Sequence, residues 1–179
     1  FKVMRAPSRK IKVNLIGFKK RYKISNINSF HIHDIITKDV QSSDGEKPAA
    51  IFMGGHHARE HISVETPLKV AQYLLSEASK GNQQVATLLA TREIHIIPMV
   101  NPDGLEYDVA SGSYKLWRKN RSKNAGGSMG TDLNRNYGFG WGTGGSSTSE
   151  TSDVFMGTKP FSEPETQAIK AYIEAKTNI

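Results

Sequence analysis

The run Gly54-Gly55-His56-His57-Ala58-Arg59-Glu60-His61 gathers three imidazoles, a carboxylate and a guanidinium into eight residues. His57 and Glu60 stand three apart, so on a turn or an opening helix they face the same way. Imidazole nitrogen and carboxylate oxygen are both zinc ligands, and the two glycines let the backbone turn tightly ahead of them. The same octapeptide contains His57-x-x-Glu60-His61, the inverted zinc-protease arrangement, in which both histidines hold metal and Glu60 is the base. It also reads as a His-rich loop with Glu60 serving a helix N-terminus. These residues alone leave all three readings open.

Three further stretches carry polar chemistry. Residues 101–104 (NPDG) read as a type I turn after a strand. Residues 115–121 (KLWRKNR) set a tryptophan among cations. That is a solvated basic face, or else a phosphate-binding surface, a cation–π pair or an anion clamp. Residues 131–137 (TDLNRNY) put Asn134 beside Arg135. A planar guanidinium fork and an amide donor together can hold a carboxylate, and a polar surface loop is the plainer alternative.

The elements that must position these groups follow from patterning. Residues 11–17 predict an edge strand, residues 28–36 a strand in which Phe30 and Ile32 alternate with His31 and His33, and residues 42–47 a turn. Residues 49–53 (AAIFM) are a continuous apolar run, as in a strand buried on both faces. Residues 63–78 have helical spacing, with Val64, Leu68, Ala71 and Leu75 on one face, Leu74 beside them and Pro67 in the first turn. A second short helix is predicted over 85–90, and a buried strand over 93–100 in which Pro98 marks an edge or the strand's end. The stretch 101–158 is weakly periodic and rich in Gly, Ser and Asn, which in a compact domain signals function or disorder. Residues 163–176 close the sequence as an amphipathic helix with Ser162 as N-cap and Ala168, Ile169, Tyr172 and Ile173 on one side. Strands alternating with helices predict an α/β layer architecture. The octapeptide falls where a strand gives way to a helix, the end of an open sheet at which ligand sites gather.

Composition narrows the class. The sequence has 179 residues, 37% of them hydrophobic, which suits one domain with a real core. No apolar run approaches the roughly 18 residues of a spanning helix, so no membrane partner is expected. Net charge is +7, but basic residues are scattered apart from 9–23. No nucleic-acid partner is therefore expected. The rival reading, a basic nucleic-acid binder using 9–23 and 117–123, predicts strongly salt-dependent binding. The absence of cysteine excludes disulfides and thiol chemistry. The sequence opens on Phe1 without a leader, which points to a removed start or a fragment.

Taken together and in order, the stretches 55–63 (GHHAREHIS), 101–104 (NPDG), 117–122 (WRKNRS), 132–137 (DLNRNY), 149–151 (SET) and 161–166 (FSEPET) resemble the zinc carboxypeptidase family of pancreatic and bacterial enzymes. The likeness is strongest to bacterial secreted members, through 107–121 and 130–137. It implies an α/β fold with an open mixed β-sheet flanked by helices. It implies a Zn2+ cofactor, peptide or protein C-termini as substrate, and a secreted protein that in many members carries a propeptide. By position, His57 and Glu60 match the family's first two zinc ligands, and His56 and His61 flank them without ligating. Arg59 matches a residue that contacts the peptide away from its terminus. Arg118 matches the arginine that polarises the scissile carbonyl. Asn134 and Arg135 match the pair that grips the terminal carboxylate.

The family also uses a third histidine ligand, a late glutamate base and a mobile tyrosine, all beyond the helix that ends this sequence. His31, His33 and His95 read as surface or packed histidines. Residues 1–179 are thus expected to be the N-terminal part of a single catalytic domain, truncated after the first part of the sheet. Alone they would bind zinc weakly and lack a base. A non-catalytic binder of peptide C-termini is the alternative from another class.

Overall fold

The computed structural model describes Asn14–Leu15, residues 47–177 and Ile179. The predicted strand over 28–36, most of the turn over 42–47, the basic run 9–23 and His31 and His33 lie outside the described residues, apart from Asn14–Leu15. The elements in chain order are β1 (Asn14–Leu15), β2 (Ala49–Met53), α1 (Ile62–Ser79), α2 (Gln83–Thr91), β3 (Glu93–Ile97), α3 (Pro102–Val109), a 3-10 turn (Leu133–Arg135) and α4 (Pro164–Glu174). Of these residues, 14–15, 47–53 and 66–98 belong to one compact unit, and 54–65 with 99–177 to a second.

The first unit is an α/β layer. Its three strands run in the order β1-β3-β2, and every described pairing is parallel, with Ile51 opposite His95 and Asn14 on the other side of the same residue. The strand at the centre is β3, whose residues 94–97 are all buried. Ile94 and Ile96 project from one face and pack with Ala71 and Leu74 of α1 and Val85 of α2. His95, fully buried, sits on the alternate register with Nε2 3.3 Å from Glu93 Oε2. It is a packed histidine, as the sequence suggested. β3 stops one residue before Pro98, which supplies no N–H to a ladder.

Three sequence expectations are revised here. The apolar run of β2 is only partly covered, with Phe52 40% and Met53 38% exposed, because β2 lies at an edge of the described sheet and β3 takes the centre. On α1 it is Leu74, not Leu75, that is buried beside Ala71. The helix also starts at Ile62, so Pro67 falls in its second turn. α2 begins two residues ahead of the predicted 85, because Asn82 Oδ1 accepts the backbone N–H groups of Gln84 and Val85 at 3.1 and 3.3 Å.

The second unit is built mostly from loops, yet it is not loosely held. The predicted NPDG turn opens a helix: Pro102 occupies the first turn of α3 and Asn101 Oδ1 accepts the Gly104 N–H at 3.0 Å. Much of the remainder is fastened by buried polar side chains rather than by apolar periodicity. Asn136 donates to the carbonyls of Met156 and Lys159 and accepts from the Glu163 N–H. Gly157 has φ +81, and a Cβ there would collide with Ser162 Oγ and Asn136 Nδ2, so the close approach requires glycine. α4 starts at Pro164 rather than Glu163, and its N-cap is Glu163 without a side-chain capping bond. Ser162 Oγ instead donates to Glu163 Oε1 at 2.8 Å. Ile169 is the fully buried residue of its apolar side.

Candidate functional site

The second unit holds all six candidate site residues. β2 ends at Met53, and the chain turns through Gly54 and Gly55, the latter at φ +64, before His57. Two backbone bonds, Val100 N–H to Gly54 O at 3.0 Å and Asn101 N–H to Gly55 O at 2.9 Å, hold this turn. Asn101 is fully buried and adds a third tie, donating Nδ2 to the carbonyls of His56 and Lys119 at 3.0 and 3.1 Å. The fourth residue of the motif is glycine for a steric reason: a Cβ on Gly104 would stand 2.5 Å from Asn101 Nδ2 and 2.7 Å from Lys119 O.

His57 is buried, and both of its ring nitrogens face carboxylates. Nδ1 lies 2.9 Å from Glu60 Oε1, and Nε2 lies 3.0 Å from Asp132 Oδ1. Glu60 remains half exposed, with Oε1 also 3.7 Å from Arg118 Nη1. An imidazole nitrogen and a carboxylate oxygen, apposed on one short turn, are donors of the types zinc takes. The other imidazole nitrogen is anchored by an acidic partner, which orients the ring. The pair therefore fits two corners of a zinc site. Among the described residues no group of three or more His, Cys, Asp or Glu side chains is placed to hold a metal ion. His61 turns elsewhere, with Nε2 2.8 Å from Asp108 Oδ2.

Asp132 is the residue that the sequence reading quoted without a role. It is fully buried. Oδ1 accepts from His57 and from the Asn134 N–H at 2.9 Å, and Oδ2 accepts from Arg118 Nε and Nη2 at 3.0 and 2.9 Å. Burial pushes its carboxyl up, but the bonds and charges of His57 and Arg118 outweigh that, leaving it below the ordinary carboxylate range. One carboxylate thus joins the ring of His57, the guanidinium of Arg118 and the start of the 3-10 turn that carries Asn134 and Arg135. An Asp immediately ahead of a short turn is a capping pattern, and that was the available clue.

The cationic stretch around Trp117 is not a solvated face. The Arg118 side chain is 13% exposed and Lys119 is buried, its ammonium donating to Glu150 O at 2.7 Å. The Arg121 guanidinium lies over the rings of Tyr107 and Trp117, at 3.6 and 4.7 Å from their centroids. The cation–π alternative is thus realised, by Arg121. Arg59 Nη1 reaches Leu116 O at 3.3 Å and Asp153 Oδ2 at 3.2 Å on the surface. Asn134 is exposed. Arg135 is held by two carbonyls, Gly145 at 2.8 Å through Nε and Asn134 at 3.0 Å through Nη1. His56 Nε2 meets Tyr137 OH at 2.7 Å, and burial together with His57 pushes the His56 imidazole down to about 4.

The chain is similar to known proteins. The chain is 48% identical over 104 residues to a zinc carboxypeptidase of Saccharothrix mutabilis subsp. capreolus, covering 58% of the chain and 24% of that relative. It is 38% identical over 135 residues to carboxypeptidase A2 of Rattus norvegicus, covering 75% of the chain and 32% of that relative. Among solved structures, thrombin activatable fibrinolysis inhibitor matches with a TM-score of 0.64 at 35% identity, over 78% of the chain and 34% of that protein. Carboxypeptidase A from Helicoverpa armigera matches with a TM-score of 0.59 at 36% identity, over 76% of the chain and 32% of that protein. The chain therefore spans about a quarter to a third of the length of these proteins. The model of the family described as zinc carboxypeptidase matches residues 9–179, almost the whole sequence. On that match, this chain belongs to the zinc carboxypeptidase family.

Proposed function

We propose that residues 1–179 form the N-terminal part of the single catalytic domain of a secreted zinc metallocarboxypeptidase, which releases single residues from the C-termini of peptides and proteins. The observation that carries the reading is the shared carboxylate of Asp132, which joins His57, the guanidinium of Arg118 and the turn of Asn134 and Arg135. Those are the residues that a metal-assisted exopeptidase needs in one place.

In this reading His57 and Glu60 are two of the zinc ligands. Zinc bound there supplies an acidified water and polarises the scissile carbonyl. Asp132 would accept a hydrogen bond from the Nε2–H of His57, which would leave the Nδ1 lone pair as the donor to a metal. Arg118 aims a fixed positive charge at the oxygen on which negative charge develops, so it favours the transition state over the ground state. Asn134 and Arg135 bind the free carboxylate and restrict cleavage to the terminal residue. Arg59 contacts the peptide further from its end. The third ligand and the general base come from a C-terminal half of the protein, so the 179-residue chain alone is inactive. A propeptide and that C-terminal half are its expected protein partners, with no membrane or nucleic-acid partner. Among the described residues no helix is long and apolar enough to cross a membrane.

The test has two parts. Full-length protein should release the last residue of blocked free-acid dipeptides, lose that activity to a chelator and regain it with zinc. The isolated 179-residue chain should hold zinc far more weakly. Stoichiometric tight binding by the isolated chain would point to a third ligand within it, and His61 of the inverted motif would be the first to substitute.

A further inference from the structure

Asp108 sits at the end of α3 with none of its surface exposed. Its carboxylate has two partners on different segments. Oδ1 accepts the Trp117 backbone N–H at 2.7 Å, and Oδ2 lies 2.8 Å from His61 Nε2. Its own carbonyl accepts the Lys115 N–H at 3.0 Å. Residues 109–116 between these points are all exposed. One buried side chain therefore closes a solvent-exposed loop at its return, one residue ahead of Arg118.

The return is not a relaxed one. Leu116 holds φ +57, in the left-handed region that side chains other than glycine rarely adopt. Such a conformation persists where its surroundings over-determine it, and here they do. Arg59 Nη1 donates to Leu116 O at 3.3 Å and the Ala58 N–H donates to Arg118 O at 3.1 Å. His61 follows Glu60 directly, and its ring also stacks at a tilt on Tyr114, with centroids 4.8 Å apart. Besides the contacts of Glu60 and Asp132 with the guanidinium, the segment of His57 and Glu60 is thus joined to the backbone leading into Arg118 through Ala58, Arg59 and His61. The Asp108 junction, like that of Asp132, has a fully buried residue at its centre, and it grips the backbone just ahead of Arg118.

We propose that Asp108, oriented by His61, is a positioning residue for Arg118: by holding the Trp117 N–H it fixes the backbone from which the guanidinium reaches the oxyanion. The inference rests on the carboxypeptidase reading. Asp132 secures the far end of the Arg118 side chain, and Asp108 secures its root. Displacing a catalytic group by about 1 Å can cost on the order of 10²-fold in rate, so a lost anchor at the root is felt in kcat.

The experiment uses the full-length protein. Asp108→Ala should lower kcat about 30-fold or more with KM within twofold and zinc content unchanged. Asp108→Asn keeps a side-chain carbonyl for the Trp117 N–H and should recover most of that loss. In an Arg118→Ala background the Asp108→Ala change should cost nothing further, because the residue it positions is gone. Hydrogen exchange of the metal-free protein gives a readout independent of activity: Asp108→Ala should raise exchange at residues 115–118 and spare α4. Losses that multiply in the double variant, or exchange unchanged at 115–118, overturn the inference and leave the carboxypeptidase reading standing. An inactive wild-type protein overturns that reading instead.

Discussion

Arg118 and His57 share one buried carboxylate: Asp132 accepts from the guanidinium at 2.9 and 3.0 Å through Oδ2 and from the imidazole at 3.0 Å through Oδ1. The sharing couples what would hold the metal to what would stabilise the transition state. It also means that neither side chain can be re-aimed without the other.

Asp132→Asn tests that coupling. The amide keeps one accepting oxygen and turns its two donors toward either the guanidinium, where donor meets donor, or the ring, where His57 must change tautomer to accept at Nε2. Breaking a mostly buried ion pair on one side costs about 3–5 kcal/mol. Losing the carboxylate behind a metal-binding histidine costs roughly 10–100-fold in metal affinity. Denaturant unfolding of the metal-free protein and zinc competition in the full-length protein read the two effects separately. Unchanged values in both would remove Asp132 from the centre of the site.

A second prediction concerns acid. Glu163 is buried, which pushes its carboxyl up, but hydrogen bonds from Ser122, Asn120, Ser162 and Thr131 hold it below its ordinary value of 4.5. A carboxyl depressed in the folded state contributes stability above its unfolded pKa, and that contribution is lost as pH falls through the folded value. Glu165 nearby is pushed the other way, chiefly by burial, so total acid sensitivity mixes both. The comparison with Glu163→Gln isolates one of them. The variant should be less stable than the wild type at pH 7 by about 1–3 kcal/mol, and the gap should narrow below about pH 4. A constant gap from pH 7 to pH 3 would show that ionisation of Glu163 is not what the network uses.

Much of the first unit was legible in the sequence because it obeys periodicity. β3 and the two helices α1 and α2 follow from apolar spacing. The burial of β2 was overestimated, since an apolar run looks the same at a sheet's centre and at its edge. In the second unit α3 was missed: its apolar content is low, and NPDG suits a turn as well as a helix start. The candidate site residues rest on motif resemblance, because an imidazole and a carboxylate three apart leave several chemistries open. What no local pattern carried was the pairing of Asp132 with His57 and of Asp108 with His61. Each contact spans residues far apart in sequence, 75 positions for Asp132 with His57 and 47 for Asp108 with His61.

The last prediction is about specificity. The two carbonyls that hold Arg135 engage Nε and one hydrogen of Nη1. Among the described residues these hold the guanidinium and leave Nη2 without a hydrogen bond, so in the proposed reading the edge formed by Nη2 and the second hydrogen of Nη1 is offered to an anion from outside. A carboxylate matches that edge with two parallel bonds, which a C-terminal amide cannot do. A substrate that cannot form both bonds loses the second of them and the charge that goes with it. In the full-length protein Arg135→Ala should therefore depress kcat/KM on free-acid peptides far more than on the matching C-terminal amides. Arg135→Lys should restore little, since an ammonium offers charge without the planar fork. Equal losses on acids and amides would mean that Arg135 supports the fold of its loop and does not read the terminus.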